Sequence, residues 1–155
     1  MERIDDIDVR ILELLQEHGR MKRSRIAEDV GLSVPTVSDR MRKLEERGVL
    51  VGYTARLSPK RMHIDITAFI RVRIDGSDHY DGFVKAVAKM AEVQELHSVT
   101  GEGSHMLKIR TKNTTTLEAL LARLQALPGV HGTTTSIVLS TLKETTVLPV
   151  EAMTL

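Results

Sequence analysis

The sequence predicts an α+β fold, with an N-terminal three-helix domain of helix-turn-helix type followed by a ferredoxin-like βαββαβ domain. Three observations carry this reading. Apolar residues recur at helical spacing as far as Leu44, the period then switches to two, and the basic excess is confined to the first part of the chain.

Ile4, Ile7, Ile11, Leu14 and Leu15 fall at three- and four-residue steps and Gly19 follows as a stop signal, which predicts a first helix from Asp5 to His18. Ile26, Ala27 and Val30 mark a shorter second helix that Gly31 ends. Leu32 then packs the turn, and Ser33 supplies the N-cap of a third helix from Val34 to Arg47. Gly48 closes that helix, and Val49, Leu50, Val51 and Tyr53 read as a short strand. From Ile66 to Ile74 the pattern alternates, most strictly in its second half, as in a strand with one buried face. Asp75-Gly76-Ser77-Asp78 breaks it and caps a helix carrying Phe83, Val84, Val87, Met90 and Ala91. Val93 to Thr100 and His105 to Thr111 are strands around a tight reversal at Gly101-Glu102-Gly103-Ser104. Thr115 with Glu118 makes a capping box for a helix through Leu117, Leu120, Leu121, Leu124 and Leu127, stopped by Pro128-Gly129. Val130 to Leu142 is the last strand. The domain boundaries follow: 1–52 for the helices, 53–63 for a hinge strand and linker, and 64–155 for the second domain.

Twenty-two Lys and Arg against 21 Asp and Glu leave a net charge of +1, so the total says nothing about partners. Distribution does. Between His18 and Arg61 there are eleven basic residues against five acidic, whereas from Ile64 onward nine basic face ten acidic. The first part therefore suits a polyanion and the second does not. Cysteine is absent, which removes disulfides and thiolate chemistry. No apolar run is long enough to span a bilayer, and the acidic start Glu2-Arg3-Ile4-Asp5-Asp6 lacks a signal core, so a cytoplasmic location without membrane contact is expected. No nucleophile, acid-base pair, phosphate loop or dinucleotide fingerprint is visible, so an enzyme is the least favoured class and no cofactor is expected. His97, His105 and His131 lack metal-ligand spacing and read as surface or interface histidines. With only Tyr53, Phe69, Tyr80 and Phe83 as aromatics, binding of single strands by base stacking is disfavoured.

A helix-turn-helix presents its second helix to base edges. Opposite the Val37/Met41/Leu44 stripe of the third helix lie Pro35, Thr36, Asp39, Arg42 and Lys43, flanked by Ser38 and Arg40, with Ser33 at the helix start. Arg42 and Lys43 suit phosphate or guanine, Thr36 and Ser38 can donate to either, and Lys22, Arg23 and Arg25 are phosphate candidates. The bland alternative is that Asp39 with Lys43, and Arg42 with Glu46, are i,i+4 ion pairs on a solvated helix. A module in which the helices serve only assembly is the other alternative, although assembly does not call for a basic region.

The stretches Ile4-Asp5-Asp6-Ile7-Asp8-Val9-Arg10-Ile11-Leu12, Gly31 through Glu45, Gly48-Val49-Leu50-Val51-Gly52-Tyr53, Leu127-Pro128-Gly129-Val130 and Lys143-Glu144-Thr145 resemble, in order and spacing, the Lrp/AsnC family of transcriptional regulators. The resemblance covers nearly the whole chain. It implies a DNA-binding helix-turn-helix, a hinge strand, and a ferredoxin-like domain that dimerises, assembles dimers into larger rings and often binds an amino acid. The implied partners are double-stranded DNA, further copies of the chain in a homodimer that builds a tetramer or octamer, and an amino-acid effector.

In that family a Gly-Asp-Tyr-Asp motif joins the second and third strands of the C-terminal domain and helps to bind the effector. Here the corresponding run is Thr100-Gly101-Glu102-Gly103-Ser104-His105. Gly101 matches, Glu102 is a longer acid, and Gly103 and Ser104 replace the tyrosine and the second aspartate. Ser104 can bond a ligand ammonium without neutralising it. The expected effector set is Thr100, Gly101, Glu102, Gly103 and Ser104, with Thr134 or Ser136 from another subunit; a glycine-rich hairpin without ligand is the alternative.

Overall fold

The computed structural model describes residues 3–154 and begins with a two-residue strand, β1 (Arg3–Ile4). Asp5 caps the first helix, α1 (Asp6–Glu17), in a reciprocal capping box: its carboxylate accepts the Asp8 amide at 2.9 Å, and the Asp8 carboxylate accepts the Asp5 amide at 3.4 Å. α2 (Arg23–Val30) ends at Gly31, which takes the left-handed conformation (φ 69°) that lets the chain reverse at once. The Leu32 amide then bonds back to the Ala27 carbonyl at 3.0 Å, and Ser33 caps α3 (Val34–Glu46), whose second residue is Pro35. Ile11, Leu14 and Leu15 of α1, Ile26 of α2, and Val37, Met41 and Leu44 of α3 are buried together, the apolar stripes that the periodicity predicts.

The second unit contains β2 (Ile66–Ile74), α4 (Tyr80–Val87), β3 (Val93–Ser98), β4 (His105–Thr111), α5 (Thr114–Gln125) and β5 (Val130–Ile137). The strands pair antiparallel in the order β3-β4-β2-β5. This is the split βαβ arrangement expected from the sequence. Alternation in β2 sends Ala68, Ile70, Val72 and Ile74 into a core shared with Phe83 and Val87 of α4 and Leu117, Leu120 and Leu124 of α5. Phe69, Arg71 and Arg73 take the opposite face, which neither helix covers.

Several boundaries differ from the sequence pattern. The α5 cap is Asn113 with Thr116 rather than Thr115 with Glu118: the Asn113 side chain accepts the Thr116 amide and the Thr116 hydroxyl accepts the Asn113 amide, each at 3.0 Å. Both pairs have the right spacing, and the asparagine is the better cap. Residues 49–53 form no strand; the segment makes no ladder, and Val51 is 92% exposed. The last long strand stops at Ile137 rather than Leu142, because the ladder to β2 runs out at Ala68.

The largest difference concerns the C-terminal segment. The chain divides into Met1–Arg56 with Lys143–Leu155, and Leu57–Leu142, so residues 143–155 leave the second domain in which the sequence pattern puts them. Met153–Thr154 forms β6, which pairs antiparallel with β1. Gln16 of α1 donates its amide to the Leu148 carbonyl (3.0 Å) and accepts the Leu148 amide (2.7 Å), and Val150 packs on the three-helix core. A single glutamine thus satisfies both backbone groups of one tail residue, a device with no sequence periodicity.

His105 is a further correction. It is buried, its ring lying edge-on to Tyr80 at 4.9 Å and tilted against Phe83 at 5.1 Å. Burial pushes its pKa below the ordinary histidine value. The unfolded chain then binds the extra proton first, so stability from neutral His105 is full above about pH 6.5 and is lost as pH falls toward the folded value. Thermal unfolding of the wild type should drop between pH 7 and pH 5, and His105→Phe should flatten that dependence.

Candidate functional site

α3 carries its function on the side away from Val37, Met41 and Leu44. Pro35, Thr36, Arg42 and Lys43 are exposed, with Ser38 and Asp39 half-buried beside them. Arg23, Pro35, Ser38, Asp39, Arg42 and Glu45 line a groove of about 520 Å³ between the start of α2 and this face of α3. Ser33 and Thr36 share a hydroxyl-hydroxyl bond of 2.7 Å, so the first turn of the helix presents two ordered hydroxyls. Lys22 and Arg23 are exposed and make no ion pair among the described residues, whereas Arg25 bonds Glu28 at 2.8 Å.

Both ion pairs anticipated from i,i+4 spacing form: Arg42 with Glu46 at 2.6 Å and Lys43 with Asp39 at 2.7 Å. Asp39 also accepts from Arg42. Lys43 first and Arg42 second hold the Asp39 carboxyl below its usual range, and the Asp39 bond raises the Arg42 pKa. The two cations are exposed, and such surface pairs are worth at most about 1 kcal/mol, so both are available for exchange.

Arg40 is different. It is expected from the sequence on the flank of the reading face, yet its guanidinium donates to Asp8 at 2.7 Å and to both oxygens of Asp5 at 2.9 and 3.0 Å. Asp8 is buried and belongs to the α1 capping box. Burial works against the charged form of Asp5, but the Asp8 amide and Arg40 outweigh it and hold the carboxyl below its usual range. Arg40 thus braces α3 against α1, and its head group is committed. Nothing in the helical projection separates it from Arg42, because Asp5 and Asp8 lie more than thirty positions away in sequence.

The residues expected around an effector fall into two clefts. Thr100, Gly101, Gly103 and Ser104 line one of about 600 Å³, together with Arg73, Ile74, Tyr80, Ser98 and Val99. Glu102, Thr134 and Ser136 line a second, of about 320 Å³, with Phe69, Arg71, Arg73 and Met106. Register explains the second grouping: Ser136 lies opposite Phe69, and Thr134 and Met106 flank Arg71 on either side. Arg73 borders both clefts. Sequence reasoning missed Arg71 and Arg73; two arginines on the outward phase of a half-buried strand were the available signal. Arg71 donates to the Glu102 carbonyl at 3.0 Å. Gly103 (φ 86°) lies so close to β2 that a Cβ there would sit 2.9 Å from the Val72 carbonyl oxygen, so no side chain fits in this conformation. Among the described residues no group of three or more His, Asp or Glu is placed to hold a metal ion.

A tri-helical unit with a capped, outward-facing second helix and a separate sheet domain bearing polar clefts defines a DNA-binding regulator with a ligand-binding domain. The comparisons place it more closely. Residues 4–51 match the family model for winged helix-turn-helix DNA-binding domains, and residues 67–148 match that for the Lrp/AsnC ligand binding domain. The HTH-type transcriptional regulator FL11 of Pyrococcus horikoshii is 38% identical over 148 residues, 96% of this chain and 97% of that protein. The leucine-responsive regulatory protein of Escherichia coli K12 is 35% identical, covering 91% of this chain and 88% of its own. A transcriptional regulator from Neisseria meningitidis, solved as a complex with L-Met, superposes with a TM-score of 0.89 at 34% identity, over 94% of this chain and 96% of that one. The chain belongs to the Lrp/AsnC family. It is a transcriptional regulator with a helix-turn-helix DNA-binding domain and an Lrp/AsnC ligand-binding domain.

Arg40 and Arg42 differ in what their removal costs. Arg40→Ala strands the buried Asp8 charge and should destabilise the N-terminal unit by about 2 kcal/mol in urea denaturation. Arg42→Ala should stay within about 0.5 kcal/mol of wild type. Asp5 is stabilising above its ordinary pKa of 3.8, and that contribution disappears as pH falls through its lowered folded value.

Proposed function

We propose that the protein is an oligomeric regulator that reads double-stranded DNA with α3 and whose DNA binding responds to an amino acid or related small metabolite held at the clefts of the C-terminal unit. The observation that carries the DNA-reading part is the groove between α2 and α3, with Arg23, Ser38, Asp39 and Arg42 on its walls. Thr36 and Ser38 are the base-reading candidates, Arg42 and Lys43 suit phosphate or guanine, and Lys22, Arg23 and Arg25 flank the start of α2 as phosphate contacts. That start has no side-chain cap, which leaves its first amides to meet phosphate oxygens. Pro35 and Asp39 shape the face without donating to the duplex backbone, and Ser33 acts through its cap.

Self-association is supported by the uncovered face of the sheet. Phe69 is 41% exposed there, and Arg71 and Arg73 follow it on the same face. An open sheet face of this kind in a small domain calls for a partner surface. The Neisseria regulator's L-Met complex supports a small amino-acid-like effector for the cleft region.

Fluorescence anisotropy with DNA selected by genome-wide mapping tests the DNA contacts. Arg42→Ala and Lys43→Ala should each weaken binding and lower the salt slope by about 0.9 for every phosphate left without its cation. Unchanged affinity and slope in both would remove these residues from the interface. Sedimentation tests assembly: Phe69→Asp should shift the wild-type oligomer to a smaller species, and no shift would exclude this face.

A further inference from the structure

We infer that the cleft beside the Gly101–Ser104 loop selects a monocarboxylate that lacks an α-ammonium group, a 2-oxo acid rather than an amino acid. The inference rests on the effector reading above and narrows its chemistry.

The charge of the lining leads to it. Arg73 is the only ionisable group besides the Tyr80 phenol on a wall otherwise made of Ile74, Val99, the hydroxyls of Ser98, Thr100 and Ser104, and two glycines. Its guanidinium is exposed and makes no ion pair or hydrogen bond among the described residues. The nearby carboxylates are turned elsewhere: Asp75 faces His131 at 3.4 Å, and Glu102 lines the neighbouring cleft. His105, behind the loop, is buried with its pKa lowered and adds no cation; its Nδ1 lies 2.9 Å from the Ser104 hydroxyl.

The amides of the loop strengthen the same bias. The Ser104 amide donates to the Val72 carbonyl, and the Val99 amide donates to the Ser104 carbonyl, which together close the loop. The amides from Thr100 to Gly103 make no backbone bond among the described residues, and Gly101 and Gly103 hold left-handed turns (φ 93° and 86°). Successive free amides in such turns form a nest that favours an anion.

A zwitterion would place its carboxylate on Arg73 or these amides and leave its ammonium without a carboxylate in the lining. Desolvating an ammonium without a carboxylate partner is costly. A 2-oxo acid carries the same carboxylate, replaces the ammonium by an acceptor that hydroxyl donors can meet, and sets its side chain against Ile74, Val99 and the Tyr80 ring. One cation favours one carboxylate, so a 2-oxo monocarboxylate with an apolar side chain fits better than a dicarboxylate.

The test is isothermal titration of the full-length oligomer with 4-methyl-2-oxopentanoate and with leucine, which differ only at C2. The oxo acid should bind at least about tenfold more tightly than leucine, since each charge-assisted bond gained or stranded is worth about that factor. Arg73→Gln should reduce oxo-acid affinity by about tenfold or more with an unchanged melting temperature, and Arg73→Lys should recover part of it. Leucine binding as tightly as the oxo acid, or more tightly, overturns the inference and leaves the effector reading standing. An unaltered affinity in Arg73→Gln overturns the assignment to this cleft. No binding of either compound, nor of methionine tried as a third probe, overturns both the inference and the effector reading.

Discussion

One guanidinium sets the geometry on which DNA reading depends. Arg40 sits in the middle of α3 and bonds both acids of the α1 capping box, so the same two carboxylates start one helix and orient another. Apolar packing of Val37, Met41 and Leu44 is non-directional and would tolerate rotation of α3 about its axis. Bonds from the Arg40 Nη1 to two separate carboxylates favour one setting of the helix. With Arg40 drawn inward toward Asp5 and Asp8, Arg42 and Lys43 remain exposed on the outer surface of the helix. A residue that the helical projection puts beside the contact surface is instead what aims it.

The helices and the strand order were legible because they rest on local signals. Ser33 before Val34-Pro35, Gly31 after Val30 and the switch of period at Ile66 each act within a few residues, and the structure places caps and strands accordingly. What was not legible depends on distant partners. Gln16 meets Leu148 across 132 residues, and β1 meets β6 at the two ends of the described chain. No period marks such contacts, so the sequence pattern leaves the segment from Lys143 with the domain that precedes it. His105 shows the same limit in the other direction. Its buried phase in β4 follows from alternation with Leu107 and Ile109, but a titratable side chain in that phase reads as polar until Tyr80 and Phe83 are seen around it.

The site residues divide along similar lines. The outward polar face of α3 follows from helical projection, whereas the clefts of the second unit need the register of three strands at once. Thr134 comes beside Arg71, and Ser136 beside Phe69, only when β2 and β5 are aligned as observed. Gly103 illustrates why a motif departure is not simply a loss. The tight approach of the loop to Val72 forbids a side chain at that position, so the backbone itself lines the cleft there.

Asp39 engages both Arg42 and Lys43, so the free protein carries its own counter-ion on the helix proposed above to read DNA. Every phosphate must displace that internal competitor. A backbone that offers its oxygens in the wrong places gains little over the carboxylate already present, and the protein has small reason to linger there. On that reading, a duplex that aligns phosphates with both cations at once also releases Asp39 from them. On the proposed reading the acid is a filter, shortening residence on indifferent DNA and widening the gap between the right site and the many wrong ones.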